Sequence, residues 1–139
     1  MNRPTRDQTN MRIAEIISER ATCGRAKVGC VIVLNHRIIS TGYNGPVMGG
    51  KHCELLNCDL KLPCQFSVHA EANAIAAAAK AGISLDGSTL YCTHEPCKDC
   101  AKIIVQSGII EVKWKNPYTS NMGTKILELN SVSVEQINE

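Results

Sequence analysis

The sequence predicts a three-layer α/β/α sandwich around a mixed five-stranded sheet. The chain has 139 residues, of which 44% are hydrophobic and 20% charged, a profile typical of one globular domain that spans residues 1–139. Its patterns predict a β-hairpin followed by a β-α-β-α-β order. Right-handed crossovers place the last three strands parallel, with helices on both faces of the sheet.

Each element is predicted from a local pattern. The isoleucines between Thr5 and Arg20 recur at helical spacing, and Thr5 with Gln8 can form a capping box. β-branched runs predict strands, and an alanine-rich run that ends at Gly82 predicts a helix. In chain order, the predicted elements are a helix from about Thr5 to Arg20, strands Val28 to Leu34 and Arg37 to Tyr43, a long loop from Asn44 to Ser67, a helix starting at His69, a strand Thr89 to Thr93, a helix Cys97 to Ser107, a strand Ile110 to Trp114, a helix Met122 to Leu129 and a strand Val132 to Ile137.

Composition excludes several classes of protein. The net charge of +2 argues against a protein that binds long nucleic acid. No run approaches the roughly 18 apolar residues of a membrane span, and the start of the chain lacks the apolar core of a secretory signal. We therefore expect a cytoplasmic protein, of a bacterium or of a host cell if phage-encoded. Eight cysteines in a reducing compartment indicate metal binding or catalysis.

Two short motifs predict a metal site, His69-Ala70-Glu71 and Pro96-Cys97-Lys98-Asp99-Cys100. Cys97 and Cys100 are three apart at the start of a predicted helix, so they share a face and can bind one metal ion. The positive end of the helix dipole favours their thiolates. With His69 as third ligand, the fourth tetrahedral position stays open for water, the pattern of a catalytic zinc site.

Glu71 is the predicted general base. It is two residues from His69, where it can take a proton from the bound water without binding the metal. Either motif alone has a simpler interpretation, since a lone CxxC is often a redox pair or half of a structural site, and HxE is common on surfaces. Together, H-x-E and P-C-x-x-C are the signature of zinc-dependent nucleobase deaminases.

From about Ala21 to Tyr118 the sequence resembles the deoxycytidylate (dCMP) deaminases, of the short kind found in bacteria and phages. The histidine at the first ligand position differs from free cytidine deaminases, and Gly-Tyr-Asn-Gly differs from tRNA adenosine deaminases. The resemblance implies a cytidine deaminase-like fold. Its motifs are Cys23 followed by Lys27-Val28-Gly29, Thr41-Gly42-Tyr43-Asn44-Gly45, His69-Ala70-Glu71-Ala72-Asn73-Ala74, Pro96-Cys97-Lys98-Asp99-Cys100-Ala101-Lys102 and Gln106-Ser107-Gly108-Ile109.

The resemblance implies hydrolysis of dCMP to dUMP and ammonia, which supplies dUMP for thymidylate synthesis. Water activated by zinc attacks C4 of cytosine, and Glu71 protonates N3 and later the leaving amine. Asn44 is expected to hold a deoxyribose hydroxyl, although Asn before Gly is also common in turns. The other expected substrate contacts are Ala70, Thr93 and His94 around the base, Arg25 and Lys27 at the 5′-phosphate (or merely solvated), and Tyr118 closing the pocket.

The resemblance also implies regulation. Members of the family are commonly hexamers, activated by dCTP and inhibited by dTTP, with Mg²⁺ bound to the triphosphate. The residues expected at the effector site are Gly42, Tyr43, Gly45 and Asn73. Members of the family often have a proline two residues after Gly-Tyr-Asn-Gly, whereas here Pro46 follows Gly45 directly.

Six cysteines lie outside the predicted catalytic site. Cys30 and Cys92 fall inside strands, where they are expected to be small buried apolar residues. Some dCMP deaminases hold a second, structural zinc ion in this region, with cysteine at the positions that match Cys23 and Cys53. Together with the other two cysteines of the long loop, four thiolates would make a closed tetrahedral site. They are Cys23, Cys53, Cys58 and Cys64. The alternatives are reduced thiols, or His52 or His36 as a ligand.

Two other functions stay open at this point. One is the same chemistry on another base, such as a tRNA adenosine, a nucleoside or a guanine. The other is a non-catalytic zinc module that binds nucleotides or partners. An intact Glu71 disfavours the module, because a structural site has no use for an unligated carboxylate beside the metal. The expected partners are therefore dCMP, its effectors and other copies of the chain, with neither nucleic acid nor membrane.

Overall fold

A computed structural model describes residues 2–50 and 66–138 of the chain. The described part contains four helices and seven strands, two of them only two residues long. In chain order they are α1 (Arg6–Ser18), β1 (Gly29–Leu34), β2 (Arg37–Tyr43), β3 (Gly45–Pro46), β4 (Ser67–Val68), α2 (Ala70–Ala81), β5 (Thr89–His94), α3 (Lys98–Gln106), β6 (Glu111–Asn116), α4 (Met122–Leu129) and β7 (Ser133–Gln136).

The main sheet has the strand order β2-β1-β5-β6-β7. β1 pairs antiparallel with both β2 and β5, whereas β5, β6 and β7 run parallel. Asn35 and His36 join β1 to β2 with φ angles of 51° and 64°, the conformation of a type I′ hairpin turn. The predicted mixed sheet, with an antiparallel first hairpin and parallel last strands, is confirmed.

Helices cover both faces of the sheet. On one face, Met11 and Ala14 of α1 pack against Val31, Val33 and Tyr91. On the other face, the alternate residues of β1 and β5 pack against α2, α3 and α4. This second cluster includes Cys30, Ile32, Leu90 and Cys92 from the strands and Ala70, Ala74, Ala78, Ala101, Ile104 and Leu127 from the helices. The strand alternation thus divides the core into two layers, and Cys30 and Cys92 are buried as predicted.

Two glycines let helices lie very close to the sheet. A Cβ on Gly29 would be 2.1 Å from the Ala14 carbonyl oxygen of α1, and a Cβ on Gly42 would be 2.3 Å from the Ala70 carbonyl oxygen of α2. Both distances are far below van der Waals contact. Glycine at these two strand positions therefore brings α1 and α2 against the sheet.

The structure corrects the sequence prediction in one region. The predicted loop from Asn44 to Ser67 contains structure at its ends, where Gly45 and Pro46 pair antiparallel with Val68 and Ser67. Two-residue strands are too short to show any alternation in the sequence, so they were missed. The other predicted boundaries differ from the observed ones by a few residues. No helix among the described residues is both long and apolar enough to cross a bilayer.

Candidate active site

The site forms where the first turns of α2 and α3 meet beside the carboxyl end of β5. His69 is the N-cap residue of α2, and Cys97 is the N-cap residue of α3. Pro96 leads from β5 into α3, and Cys100 follows within the first turn of that helix. Two helix starts therefore bring residues 28 to 31 positions apart in the sequence to one place.

The three predicted metal ligands form one cluster. Nδ1 of His69 lies 3.2 Å from Sγ of Cys100 and 3.5 Å from Sγ of Cys97. The three donor atoms lie within 4.8 Å of one another. In a tetrahedral zinc site, Zn–N of about 2.0–2.1 Å and Zn–S of about 2.3 Å place nitrogen and sulfur about 3.5 Å apart. The donor set and its spacing therefore fit zinc.

The three residues differ in solvent exposure, so one side of the cluster is open to solvent. His69 is exposed, Cys97 is half-buried and Cys100 is buried. A site closed by four protein ligands is structural, whereas a site with three protein ligands keeps a position for water or substrate. No other group of three or more potential metal ligands occurs in residues 2–50 and 66–138.

The environment of Cys97 favours its thiolate. A hydrogen bond from the Cys100 thiol lowers the pKa of Cys97 to about 3, with further contributions from His69 and from the backbone N–H of Cys100, which outweigh burial. The hydrogen bond to Cys97, together with burial, raises the pKa of the Cys100 thiol. The hydrogen bond with Cys97 likewise raises the pKa of His69. Cys97 is thus the member of the cluster whose ionised, metal-binding form is favoured.

Glu71 lies in the first turn of α2 and is 5% exposed. Burial raises its pKa to about 7, against the opposing effects of a backbone hydrogen bond and of His69. A carboxyl group with this pKa both accepts and releases a proton near neutral pH, which general acid–base catalysis requires.

A cavity of about 250 Å³ is lined by His69 and Cys97 of the cluster and by Glu71. Of the seven predicted substrate-binding residues, five line it. These are Arg25, Asn44, Ala70, His94 and Tyr118. Lys27, which is exposed, and Thr93, which is buried, lie outside this lining. The role of each in substrate binding stays a prediction.

Asn44 fixes one wall of the cavity. Its Oδ1 accepts a hydrogen bond from the Val28 backbone N–H at 2.8 Å, and its Nδ2 donates to the Ala26 carbonyl at 2.8 Å. Both partners also line the cavity. Asn44 therefore orders the segment before β1 from within the cavity, so its position serves the structure as well as the site.

The four residues predicted to bind an effector lie where β2 ends against α2. Nδ2 of Asn73 donates to the Tyr43 carbonyl at 3.0 Å. The space beside Gly42 is filled by the backbone of α2, so close packing of the helix explains the glycine there. Tyr43 and Gly45 flank Asn44 at the same strand end. Effector binding by this group stays a prediction.

The predicted second zinc site lies mostly outside the described residues. Cys23 is described, is buried, and accepts a hydrogen bond from the backbone N–H of Arg25 at 3.4 Å. The other three predicted ligands and one alternative fall in the segment that the structure does not describe. They are Cys53, Cys58, Cys64 and His52. The remaining alternative, His36, lies in the β1–β2 turn.

Glu95 is a residue of the site that the sequence analysis missed. It lines the cavity and is 6% exposed. One carboxylate oxygen accepts the Tyr118 backbone N–H at 3.1 Å, and the other accepts the Thr124 hydroxyl of α4. Glu95 thus holds the segment that places Tyr118 at the cavity. The available signal was its position directly before Pro96.

Comparisons with known proteins identify the family of the chain. The family model of the cytidine and deoxycytidylate deaminase zinc-binding region matches residues 4–115. ComE operon protein 2 of Bacillus subtilis is 38% identical over 139 residues, covering 99% of this chain and 74% of the relative. The deoxycytidylate deaminase of Enterobacteria phage T2 is 35% identical, covering 81% of each chain.

A solved structure matches nearly the full length of this chain. The dCMP deaminase of cyanophage S-TIM5, crystallised in complex with dCMP and dUMP, superposes with a TM-score of 0.90 at 36% identity. It covers 99% of this chain and 100% of that chain. The predicted cytidine deaminase-like fold is confirmed by this neighbour.

Proposed function

The chain belongs to the cytidine and deoxycytidylate deaminase family, and from this premise we propose that it catalyses the zinc-dependent hydrolysis of dCMP to dUMP and ammonia. The observation that carries the proposal is the cluster of His69, Cys97 and Cys100 at zinc-ligand spacing, with the buried carboxyl group of Glu71 beside it. Support for dCMP as substrate comes from the phage T2 relative and the cyanophage neighbour, which are named for it.

His69, Cys97 and Cys100 would hold the zinc ion. When bound, zinc lowers the pKa of a water molecule and so supplies the nucleophile. Two thiolates offset the charge of the ion, so a protein base has to complete the deprotonation. Glu71 performs that step, since it lines the same cavity and its pKa of about 7 suits proton transfer at neutral pH.

Glu71 then moves the protons that the reaction requires. Its carboxylate accepts one proton from the attacking water and delivers it to N3 of the cytosine ring. It accepts the second proton of that water and delivers it to the amine that leaves from C4. Burial of Glu71 keeps these transfers away from bulk water.

The remaining cavity residues would orient the nucleotide. Arg25 is at the cavity and carries the positive charge that a 5′-phosphate requires, whereas Lys27 would have to move to reach it. Asn44 retains one amide hydrogen beyond its bond to Ala26, which is available for a deoxyribose oxygen. Tyr118 would close the cavity from the segment that Glu95 holds.

We extend the proposal to the metabolic role and regulation of the enzyme. The product dUMP would supply thymidylate synthesis, with activation by dCTP, inhibition by dTTP, Mg²⁺ on the triphosphate and a hexameric assembly. A second, structural zinc ion would bind Cys23 together with Cys53, Cys58 and Cys64. These features rest on the sequence resemblance. Zinc stoichiometry tests the second zinc ion, and native mass spectrometry tests the hexamer.

A substrate panel distinguishes this proposal from the other deaminases. Zinc-loaded protein is incubated with dCMP, deoxycytidine, guanine or a tRNA anticodon stem-loop that contains adenosine, and ammonia release is measured. We expect kcat/KM to be highest for dCMP. Arg25→Ala should raise KM for dCMP while leaving deoxycytidine unaffected, since only dCMP carries the phosphate. A higher kcat/KM for any of the other substrates would contradict the proposal.

A further inference from the structure

His94 lies at the carboxyl end of β5 and lines the cavity that also contains Glu71 and Asn44. Its ring is half-buried and has two nitrogen atoms. Within the described part of the chain, Nδ1 has a partner, since it lies 2.9 Å from Oγ1 of Thr93, whereas Nε2 has none. The direction of the Thr93 hydrogen bond decides what Nε2 presents to a ligand.

The surroundings of Thr93 fix that direction. Its side chain is buried, and Oγ1 accepts a hydrogen bond from the Gly29 backbone N–H at 3.1 Å. A backbone N–H only donates, so the hydroxyl hydrogen of Thr93 is free to donate elsewhere. Nδ1 of His94 is the acceptor for that hydrogen among the residues described, and a buried hydroxyl without an acceptor would be costly.

The Thr93 hydroxyl therefore donates to Nδ1, so Nδ1 carries no hydrogen. The neutral imidazole then carries its hydrogen on Nε2. Burial lowers the pKa of His94, which acts in the same direction by disfavouring a second proton. A chain of two hydrogen bonds, from the Gly29 N–H through the Thr93 hydroxyl to the ring, thus selects the tautomer.

The backbone that carries His94 is also held from its other side. Nδ2 of Asn116 in β6 donates to the Thr93 carbonyl at 2.8 Å, and the Glu95 backbone N–H donates to the Asn116 carbonyl at 2.8 Å. Contacts from β1 and β6 therefore fix both the position and the tautomer of the ring before any ligand binds, which is how a binding residue is preorganised.

We infer that His94 is a specificity-determining residue that donates a hydrogen bond from Nε2 to an acceptor oxygen of a bound pyrimidine nucleotide. The inference rests on the proposed function, since it takes the cavity to be a nucleotide site. No described residue accepts from Nε2, so its hydrogen is available to an oxygen of a ligand in the cavity. That oxygen is either the carbonyl of the base or an oxygen of the 5′-phosphate.

The tautomer is tested without any measurement of activity. Two-dimensional ¹⁵N–¹H NMR of the zinc-loaded, histidine-labelled protein at neutral pH should show His94 with a bare Nδ1 and a protonated Nε2. Thr93→Val should mix the tautomers, whereas Thr93→Ser keeps the hydroxyl and should keep the single form. A hydrogen on Nδ1 in the wild type, or an unchanged tautomer in folded Thr93→Val, would overturn the inference.

The donor role is tested by two matched amides. The amide nitrogen of Gln reaches the position of Nε2, whereas that of Asn reaches only the position of Nδ1. His94→Gln should keep kcat/KM for dCMP within about threefold of wild type, and His94→Asn and His94→Ala should lower it about 10- to 100-fold. Glu128→Gln, at an exposed position of α4, is the control and should have no effect. Equal activity of the Gln and Asn variants would overturn the inference.

Two further measurements identify the ligand oxygen that accepts from His94 and distinguish failure of this inference from failure of the proposed function. A loss for dCMP but not for deoxycytidine assigns the phosphate, and an equal loss for both assigns the base. Titration with dUMP should move the His94 Nε2–H signal even if the protein turns over no dCMP, in which case the proposed reaction fails and the donor role stands. Binding of dUMP that shifts other signals and leaves His94 unmoved would overturn the donor role.

Discussion

At the level of single residues, the starts of two helices set the chemistry of the site. Cys97 caps α3 and accepts the Cys100 N–H through its sulfur at 3.5 Å, so the unpaired N–H groups of the helix favour its thiolate. Glu71 lies in the first turn of α2, where the helix favours a carboxylate, yet burial dominates and raises its pKa to about 7. Cys97 and Glu71 thus lie at similar positions of their helices, yet the pKa of the thiol is lowered and the pKa of the carboxyl group is raised.

Removal of one thiol should abolish metal binding. Cys100→Ser replaces a thiolate that lies 3.2 Å from His69 Nδ1 with a poor zinc ligand. We expect the protein to lose one zinc ion per chain after dialysis, as measured by atomic emission. Cys30→Ala, a buried cysteine of β1, is the control and should retain the zinc. Full zinc retention by Cys100→Ser would show that the ion binds elsewhere.

The residues of the candidate metal site were predictable because their signal is local. A spacing of three residues places Cys97 and Cys100 on one helix face wherever the helix lies. The roles of Thr93 and Glu95 were not predictable, since they depend on partners such as Gly29, Tyr118 and Asn116, which the fold brings close. Likewise, the sequence alone does not place Arg25 at the cavity and Lys27 outside its lining.

At the level of elements, the position of α2 depends on its close contact with β2. This helix carries both His69 and Glu71, and its alanines pack against the sheet where Gly42 has no side chain. Asn73 ties the helix to the end of β2 through the Tyr43 carbonyl. Displacement of α2 would therefore move the proposed metal ligand His69 and the proposed base Glu71 together.

Gly42→Ala should test this packing. The added Cβ would lie 2.3 Å from the Ala70 carbonyl oxygen, so α2 must shift, at a cost of about 1–3 kcal/mol in unfolding free energy. We expect kcat for dCMP to fall as well, since the shift displaces Glu71. Stability is measured by urea unfolding and activity by ammonia release.

The control for this variant is Gly82→Ala, at the opposite end of α2. Gly82 has a φ of +71° and open space around its Cβ position, so alanine there strains only the helix cap by about 1 kcal/mol. Gly82→Ala should lose stability and keep its activity. If Gly42→Ala kept the wild-type kcat, the close contact would not position the site.

Helices and strands long enough to show a periodic sequence pattern were predictable, whereas the two-residue strands were not. The capping box of Thr5 and Gln8 forms as expected, with hydrogen bonds of 2.9 and 3.1 Å. By contrast, β3 and β4 each have two residues and pair across a separation of about twenty positions. Such pairing leaves no periodic signal, and only the tertiary structure creates it.

At the level of the whole molecule, ion pairs fasten α1 to the sheet. Lys113 of β6 lies 2.8 Å from Asp7 of α1, which also accepts the Tyr91 hydroxyl, and Lys115 lies 2.9 Å from Glu15. Burial alone would raise the pKa of Asp7, but the hydrogen bonds from Lys113 and Tyr91 prevail and lower it. Burial and the bond to Asp7 raise the pKa of Tyr91 to about 12.

These shifts predict how stability depends on pH. Because its pKa is lower in the folded protein, Asp7 stabilises the fold above its ordinary pKa of 3.8 and loses this contribution as pH falls through the lowered value. The contribution is about 1 kcal/mol, since the Asp7 side chain is 36% exposed.

Asp7→Asn should therefore be less stable than wild type at pH 5 to 8, with the difference shrinking below about pH 4. Urea unfolding at a series of pH values measures it. Asp86→Asn, on an exposed turn away from these pairs, is the control. A stability difference between Asp7→Asn and wild type that grows as the pH falls would contradict a lowered Asp7 pKa.

The most direct test of the proposed function is the rate of dCMP deamination by zinc-loaded wild type and by Glu71→Gln, at equal zinc content. Glutamine keeps the size of the side chain and cannot accept and deliver a proton, so we expect turnover by the wild type and a rate about 10²- to 10⁴-fold lower in the variant. Equal rates, or no turnover of dCMP by the zinc-loaded wild type, would contradict the account.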